Sequence, residues 1–268
     1  MIKLIALDID GTLTNDEKKI TPATRDALIA VQKQGVIAVL ASGRQAPGLV
    51  REARELCMQD YHGLLLSYNG ARIEDATTGV ILYAKGIDNE TAVSYLRHLA
   101  KLPVSAIVDD GETIITTSAD NFMIDVECRN NNMKLRIVPD IAEAVDFAPS
   151  KILTAAPPSE LSGLLADIRE GFEDKLCFAQ SAPWFYEATA PGVSKAESLG
   201  MVCQKLGIAP CEVMAFGDAQ NDLSMINYAG IGVAMGNSSE ELKKAADEVT
   251  LTNNEDGIAA TLKKYFSI

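Results

Sequence analysis

Ile2-Lys3-Leu4-Ile5-Ala6-Leu7-Asp8-Ile9-Asp10-Gly11-Thr12 is the stretch that decides the fold. Residues 2–7 read as a short buried strand, and the strand ends on two carboxylates and a glycine. Beyond it, Thr21-Pro22 opens a helix, with Thr21 as N-cap and Pro22 at the first helical position. That helix runs to about Gln34, where Gly35 stops it. Residues 36–41 form the next strand, 47–58 a helix, and 64–67 a third strand closed by Asn69-Gly70. Strand alternating with helix predicts parallel βαβ units with right-handed crossovers.

The pattern changes after Gly79. Residues 104–108 and 113–117 flank Asp109-Asp110-Gly111-Glu112, a hairpin signal. Further strands fall at 134–138, 151–155 and 176–179, with helices near 89–101 and 159–170. After Pro191 the strand–helix alternation returns and ends in a helix reaching about residue 265. The expected fold class is therefore α/β: a Rossmann-like, mostly parallel sheet built from residues 1–83 and 188–268, with an α+β domain inserted at 84–187.

Composition narrows the function. The 268 residues are 47% hydrophobic and 23% charged, with a net charge of −13. The inserted segment carries nine basic and seventeen acidic side chains, so −8 of that balance lies there. This argues against nucleic acid or an anionic membrane as partner and leaves a small ligand held by a local cationic site. No run approaches the ~20 apolar residues of a membrane span, and the N-terminus turns acidic too early for a signal peptide. The five cysteines, an odd number without a C-x-x-C pair, read as free thiols of a reducing cytoplasm. His62 and His98 sit in no recognisable motif and read as structural.

Four stretches carry chemistry. Asp8 and Asp10 end the first strand, where i and i+2 side chains share a face and where open α/β sheets bind ligands. Two acids with unequal roles suit covalent catalysis, one ionised to attack and one protonated to donate. The plainer alternative is that both cap the following loop. Gly217-Asp218-Ala219-Gln220-Asn221-Asp222 again follows an apolar strand and offers hard oxygen ligands for Mg²⁺, or a polar loop with Asp222 as N-cap. Ser42-Gly43-Arg44 supplies a hydroxyl followed by a backbone N–H, which can hold a phosphate oxygen, or is an ordinary loop. Lys195 lies near a helix start, where a cation gains nothing from the dipole; an anion partner would explain it, as would simple solvation at the surface.

In this order (acid pair, hydroxyl, lysine, acid cluster) the motifs resemble those of the haloacid dehalogenase superfamily, specifically the Cof-like class IIB phosphatases, many of which act on sugar phosphates. Ser67-Tyr68-Asn69-Gly70-Ala71, Gly232-Val233-Ala234-Met235-Gly236-Asn237 and Asp256-Gly257-Ile258 are similar to the same family, and the resemblance spans essentially the whole chain. It implies Mg²⁺-dependent hydrolysis of a small phosphomonoester, a phosphorylated sugar or similar metabolite. Asp8 would be the nucleophile forming an aspartyl phosphate. Asp10 would protonate the leaving alkoxide and then deprotonate water. Ser42, Gly43, Lys195 and Asn221 would hold the phosphoryl group. Asp8, Asp10 through its backbone carbonyl, and Asp218 would bind Mg²⁺, with Asn221 and Asp222 completing or orienting that site.

Two positions depart from the pattern or stay open. The lysine is followed by Ala196 where relatives often carry glycine, and Arg44 either touches substrate or braces its loop. In the insertion, which the resemblance makes a substrate-selecting cap, Trp184-Phe185-Tyr186 reads as a wedge near the return crossing or as a stacking surface. Arg129 with residues 130–132 reads as a solvated or a sugar-reading loop. Gly86 and Pro183 mark possible hinges. Rival readings are a phosphotransferase or phosphomutase using the same aspartyl phosphate, a receiver-like signalling module, and a non-catalytic sugar-phosphate binder. The sequence sets no oligomeric state.

Overall fold

The computed structural model describes residues 1–268. The chain forms two compact units: Met1–Arg44, Leu49–Tyr83 and Ser194–Ile268 make the first, Gln45–Gly48 and Ala84–Val193 the second.

The first unit opens with β1 (Leu4–Leu7), α1 (Pro22–Lys33), β2 (Ile37–Ala41), α2 (Val50–Glu55), β3 (Leu64–Ser67), β4 (Arg72–Asp75) and β5 (Ile81–Ala84). The second contains α3 (Asn89–Leu99), β6 (Ser105–Asp109), β7 (Thr113–Thr116), α4 (Ile124–Asn131), β8 (Lys134–Ile137), α5 (Ile141–Ala144), β9 (Lys151–Ala155), α6 (Pro158–Arg169), β10 (Cys177–Ala182) and β11 (Phe185–Thr189). The chain then returns to the first unit through α7 (Lys195–Leu206), β12 (Val213–Gly217), α8 (Leu223–Tyr228), β13 (Ile231–Ala234), α9 (Glu240–Ala245), β14 (Glu248–Val249) and α10 (Gly257–Tyr265).

The first sheet has the order β14-β13-β12-β1-β2-β3-β4-β5. From β14 through β3 every pairing is parallel, and β4 then joins β3 antiparallel. All four residues of β1 are buried because helices cover both faces. Ile5 and Leu7 pack with Leu28 and Val31 of α1 and Leu262 of α10, whereas Leu4 and Ala6 pack with Leu199 and Val202 of α7. The α1 start is built as its sequence demands: Thr21 accepts from Thr24 N at 3.3 Å and Pro22 occupies the first turn. Gly35, at φ +88°, then turns the chain out of that helix toward β2.

The second sheet has the order β10-β11-β9-β6-β7-β8 and is antiparallel except between β7 and β8. One face packs on Tyr95 and Leu96 of α3 and Leu161 and Ile168 of α6. The other carries a smaller cluster of Ile107, Ile114, Ile124, Leu153 and Phe185.

Several details differ from the sequence reading. The return to the first unit falls at Ser194 rather than at residue 188, because β11 runs to Thr189 and pairs with β9 across its whole length. Phe185 and Tyr186 are strand residues on opposite faces of the second sheet, packed in different clusters, as strand alternation places them. Residues 124–131 form a helix, and Asn131 is buried rather than part of a solvated loop. Gly86 is demanded by a close approach within the second unit, since a Cβ there would lie 2.5 Å from the Ala148 carbonyl oxygen.

Candidate active site

β1, β2 and β12 are adjacent in the first sheet, and the motifs follow their carboxyl ends, where open parallel sheets bind ligands. Three connected groups result, all inside the first unit.

The innermost is built around Lys195, the first residue of α7, whose N-cap Ser194 accepts from Glu197 N. Lys195 is only 1% exposed, which removes the solvated-surface reading. Its Nζ donates to Asp8 Oδ1 at 2.6 Å and to Asp222 Oδ1 at 2.6 Å. The other Asp222 oxygen accepts from Asp218 N and Ala219 N, each at 3.0 Å. Asp222 therefore reaches back to cap its own loop while fixing the lysine. Asp218 accepts from Thr12 Oγ1 at 2.7 Å. Gly11, at φ +87°, lets that loop pass: a Cβ there would meet Asp218 Oδ2 at 2.4 Å.

Carboxylate oxygens of Asp8, Asp218 and Asp222 lie within 4.8 Å of one another. Such a convergent set of hard anionic donors fits a small divalent cation such as Mg²⁺. Burial pushes the Asp8 carboxyl up to about 7, against the pull of Lys195 and with Asp222 and Asp218 adding to the rise. Asp218 is also raised, by burial and then by Asp222, with Thr12 and Lys195 opposing. For Lys195 burial pushes downward, but Asp8 and Asp222 outweigh it and hold the ammonium well above its ordinary value.

Asp10 stands apart from that carboxylate set. Arg44 Nη2 donates to its Oδ1 at 2.7 Å and Arg44 Nε to its Oδ2 at 3.0 Å, while Lys18 Nζ reaches Oδ1 at 2.9 Å. Burial raises the Asp10 pKa, yet Arg44 and Lys18 more than cancel it and leave it below the usual carboxylate value. Sequence reading left Arg44 between bracing its loop and touching substrate; here its guanidinium lies on Asp10. Lys18, on the loop after β1, had no motif to announce it.

The third group surrounds Ser42. Its hydroxyl accepts from Arg44 N at 3.2 Å, and its carbonyl accepts from Asn69 N. Gly43 faces the Asn69 amide, where a Cβ would come within 3.0 Å of Nδ2. Asn221 Nδ2 donates to Asn69 Oδ1 at 3.0 Å, so Asn69 ties the phosphate-loop candidate to the β12 loop. Asn69 has φ 54°, and the sequence marked it by an Asn-Gly turn and by a stretch resembling the family, without a role. Thr12 and Asn237, which donates to the Gly11 carbonyl at 2.8 Å, were likewise quoted in motifs without a role.

Comparison with known proteins shows the family. Residues 5–262 match the family model of haloacid dehalogenase-like hydrolases. The 5-amino-6-(5-phospho-D-ribitylamino)uracil phosphatase YcsE of Bacillus subtilis (strain 168) is 31% identical over 98% of this chain and 96% of its own. A haloacid dehalogenase-like hydrolase from Bacteroides thetaiotaomicron, 37% identical, has a TM-score of 0.93 over 99% of this chain and all of that one. The HAD subclass IIB sugar phosphatase BT4131, 26% identical, has a TM-score of 0.80 over 98% of each chain. The chain belongs to the haloacid dehalogenase-like hydrolase family. Within that family it stands with the phosphatases. No helix is long and apolar enough to cross a membrane.

Proposed function

We propose that this enzyme is a Mg²⁺-dependent phosphatase that hydrolyses small phosphomonoesters, sugar phosphates or related metabolites, through an aspartyl phosphate on Asp8. The observation that carries the reading is the Lys195 ammonium, 2.6 Å from both Asp8 and Asp222 with Asp218 alongside. A buried lysine so placed offsets the repulsion between an attacking carboxylate and an incoming phosphate. The subclass IIB relative supports the sugar-phosphate part.

In this mechanism one Asp8 oxygen stays on Lys195 while the other attacks phosphorus. Asp10 protonates the departing alkoxide, then takes a proton from the water that attacks the acyl phosphate. Arg44 and Lys18 favour the carboxylate form of Asp10, which is the form the second step needs. Protonation for the first step requires that grip to loosen as substrate enters. Ser42, Gly43 and Asn221 hold phosphoryl oxygens beside Lys195. Asp8, the Asp10 carbonyl and Asp218 would hold Mg²⁺, with Asp222 positioning the loop that carries Asp218 and anchoring Lys195. When bound, the cation supplies positive charge against the phosphate and the carboxylates.

We assign substrate choice to the inserted unit, and the cytoplasm as compartment on the cysteine pattern. The test is phosphate release from a panel of phosphorylated metabolites, with Mg²⁺ and with a chelator. Release that needs Mg²⁺ supports the reading; none from folded, Mg²⁺-supplied protein contradicts it.

A further inference from the structure

The two cations that grip Asp10 trace back to one buried carboxylate that the proposed chemistry does not use. Glu52 lies on α2, on the helix face that carries Leu49, Ala53 and Leu56 into the core, since residues three and four apart share a face. It is only 1% exposed there. A carboxylate at such a position costs free energy that an apolar side chain would not, so packing alone does not account for it.

Its contacts run in one direction. Glu52 Oε1 lies 3.6 Å from Arg44 Nη1, an ion pair longer than a hydrogen bond. The same oxygen accepts from Arg51 Nη2 at 2.5 Å. Arg51 Nη2 also donates to the Lys18 carbonyl at 3.0 Å. Arg44 and Lys18 are in turn the side chains that donate to Asp10. A ring therefore closes from Glu52 through Arg44, Asp10, Lys18 and Arg51, all of it inside the first unit. The other Glu52 oxygen, Oε2, is buried without a hydrogen-bond partner, so the two arginines are what the carboxylate serves.

The ring has a geometric consequence. The Nε and Nη2 edge of Arg44 is engaged by Asp10, which leaves Nη1 as the far corner of the guanidinium. A planar fork held along one edge can still hinge about that edge, and a negative charge at the far corner opposes the swing. The Asp10 side chain is itself 41% exposed, so the cations rather than packing hold its carboxylate in place. Lys18 stands at φ 59°, an uncommon backbone conformation for a side-chain-bearing residue, and the Arg51 bond to its carbonyl steadies the loop at that point.

We propose that Glu52 is a positioning residue, which holds Arg44 and, through Arg51, the Lys18 loop in the placement that aims Asp10 at the leaving oxygen. The inference rests on the phosphatase reading above and extends its machinery to a buried side chain of α2.

The test compares kcat/KM for phenyl phosphate and 4-nitrophenyl phosphate, two esters of similar shape, in wild type, Glu52→Gln, Glu52→Met and Asp10→Asn. This constant covers the first chemical step, in which the bond from phosphorus to Asp8 forms, the bond to the leaving oxygen breaks and that oxygen takes the proton of Asp10. Phenolate needs the proton more than 4-nitrophenolate does, so the phenyl-to-nitrophenyl ratio reports how well Asp10 delivers it. Glu52→Gln keeps the shape and removes the charge. Glu52→Met removes both acceptors, suits the apolar face and serves if the amide variant does not fold. The ratio should fall by about three- to tenfold in Glu52→Gln and further in Glu52→Met, with Asp10→Asn marking the full loss. A ratio unchanged in both Glu52 variants, while Asp10→Asn lowers it, would make Glu52 purely structural and overturn the proposal with the phosphatase reading intact. A ratio that Asp10→Asn does not lower, or no release from wild type supplied with Mg²⁺, overturns the role of Asp10 and the proposal with it.

Discussion

Arg44 holds Asp10 in a two-point grip, Nη2 on Oδ1 at 2.7 Å and Nε on Oδ2 at 3.0 Å. Only a planar guanidinium can match both carboxylate oxygens from one side chain. Arg44→Lys keeps the charge and loses the fork. If Arg44 positions Asp10, kcat falls by about ten- to a hundredfold while KM moves little. Steady-state kinetics on any accepted phosphomonoester decides it; a change confined to KM would make Arg44 a substrate contact instead.

Asp222 is fully buried and satisfies Lys195 and two loop N–H groups at once. Asp222→Ala leaves those donors without a partner. We expect a loss of about 3–5 kcal/mol in urea unfolding, the scale for breaking a buried ion pair, together with loss of turnover. Asp222→Asn keeps one acceptor and should lose less. Equal stability of the two variants would contradict this account.

The site of Asp8, Asp218 and the Asp10 carbonyl should bind Mg²⁺ in the folded state and not in the unfolded chain. Mg²⁺ at a hundred times its Kd should then stabilise the protein by about 2.7 kcal/mol. A thermal scan reads this as a rise in Tm that a chelator reverses. Asp218→Asn should abolish the rise. An unchanged Tm in wild type would contradict the assignment of the site.

Stability should also respond to acid at the β4 turn. Asp75 accepts from Thr77 N, Thr78 N and Thr78 Oγ1 and contacts His62. Burial raises its pKa, but these bonds prevail and lower it. A depressed carboxyl pKa contributes stability that is fully present above the unfolded value, near 3.9, and is lost as pH falls through the folded value. Asp75→Asn should therefore destabilise at pH 7 and matter less at pH 3. Urea midpoints at both pH values check this, and an equal effect at both would contradict it.

The sequence was most informative where local chemistry and the final contacts coincide. Thr21-Pro22 caps α1 by itself, and the run into Asp8 needs helices on both faces, so both could be read without knowing any partner. Asp8, Asp218, Asp222 and Lys195 were candidates because acids and a lysine at strand ends and a helix start ask for an explanation. What stayed hidden depends on distant pairing. Lys18 finds Asp10 across a loop, and Asn69 joins Ser42 to Asn221. β11 was missed because Trp184-Phe185-Tyr186 looks like an aromatic patch until β9 supplies its register. α4 has Met123 as its N-cap, at φ 61° and with no side-chain cap bond, so the usual start signal is absent. Gln45 carries no local mark of packing with residues some eighty positions away.

The central claim is that Asp8 takes the phosphoryl group. It is tested most directly by acid-quenching the enzyme during turnover, reducing with borohydride and mapping the chain by mass spectrometry. The account predicts phosphate on Asp8 before reduction and homoserine at position 8 after it, both absent in Asp8→Asn. Phosphate released in a pre-steady-state burst with residue 8 unmodified, or the label on another side chain, would contradict it.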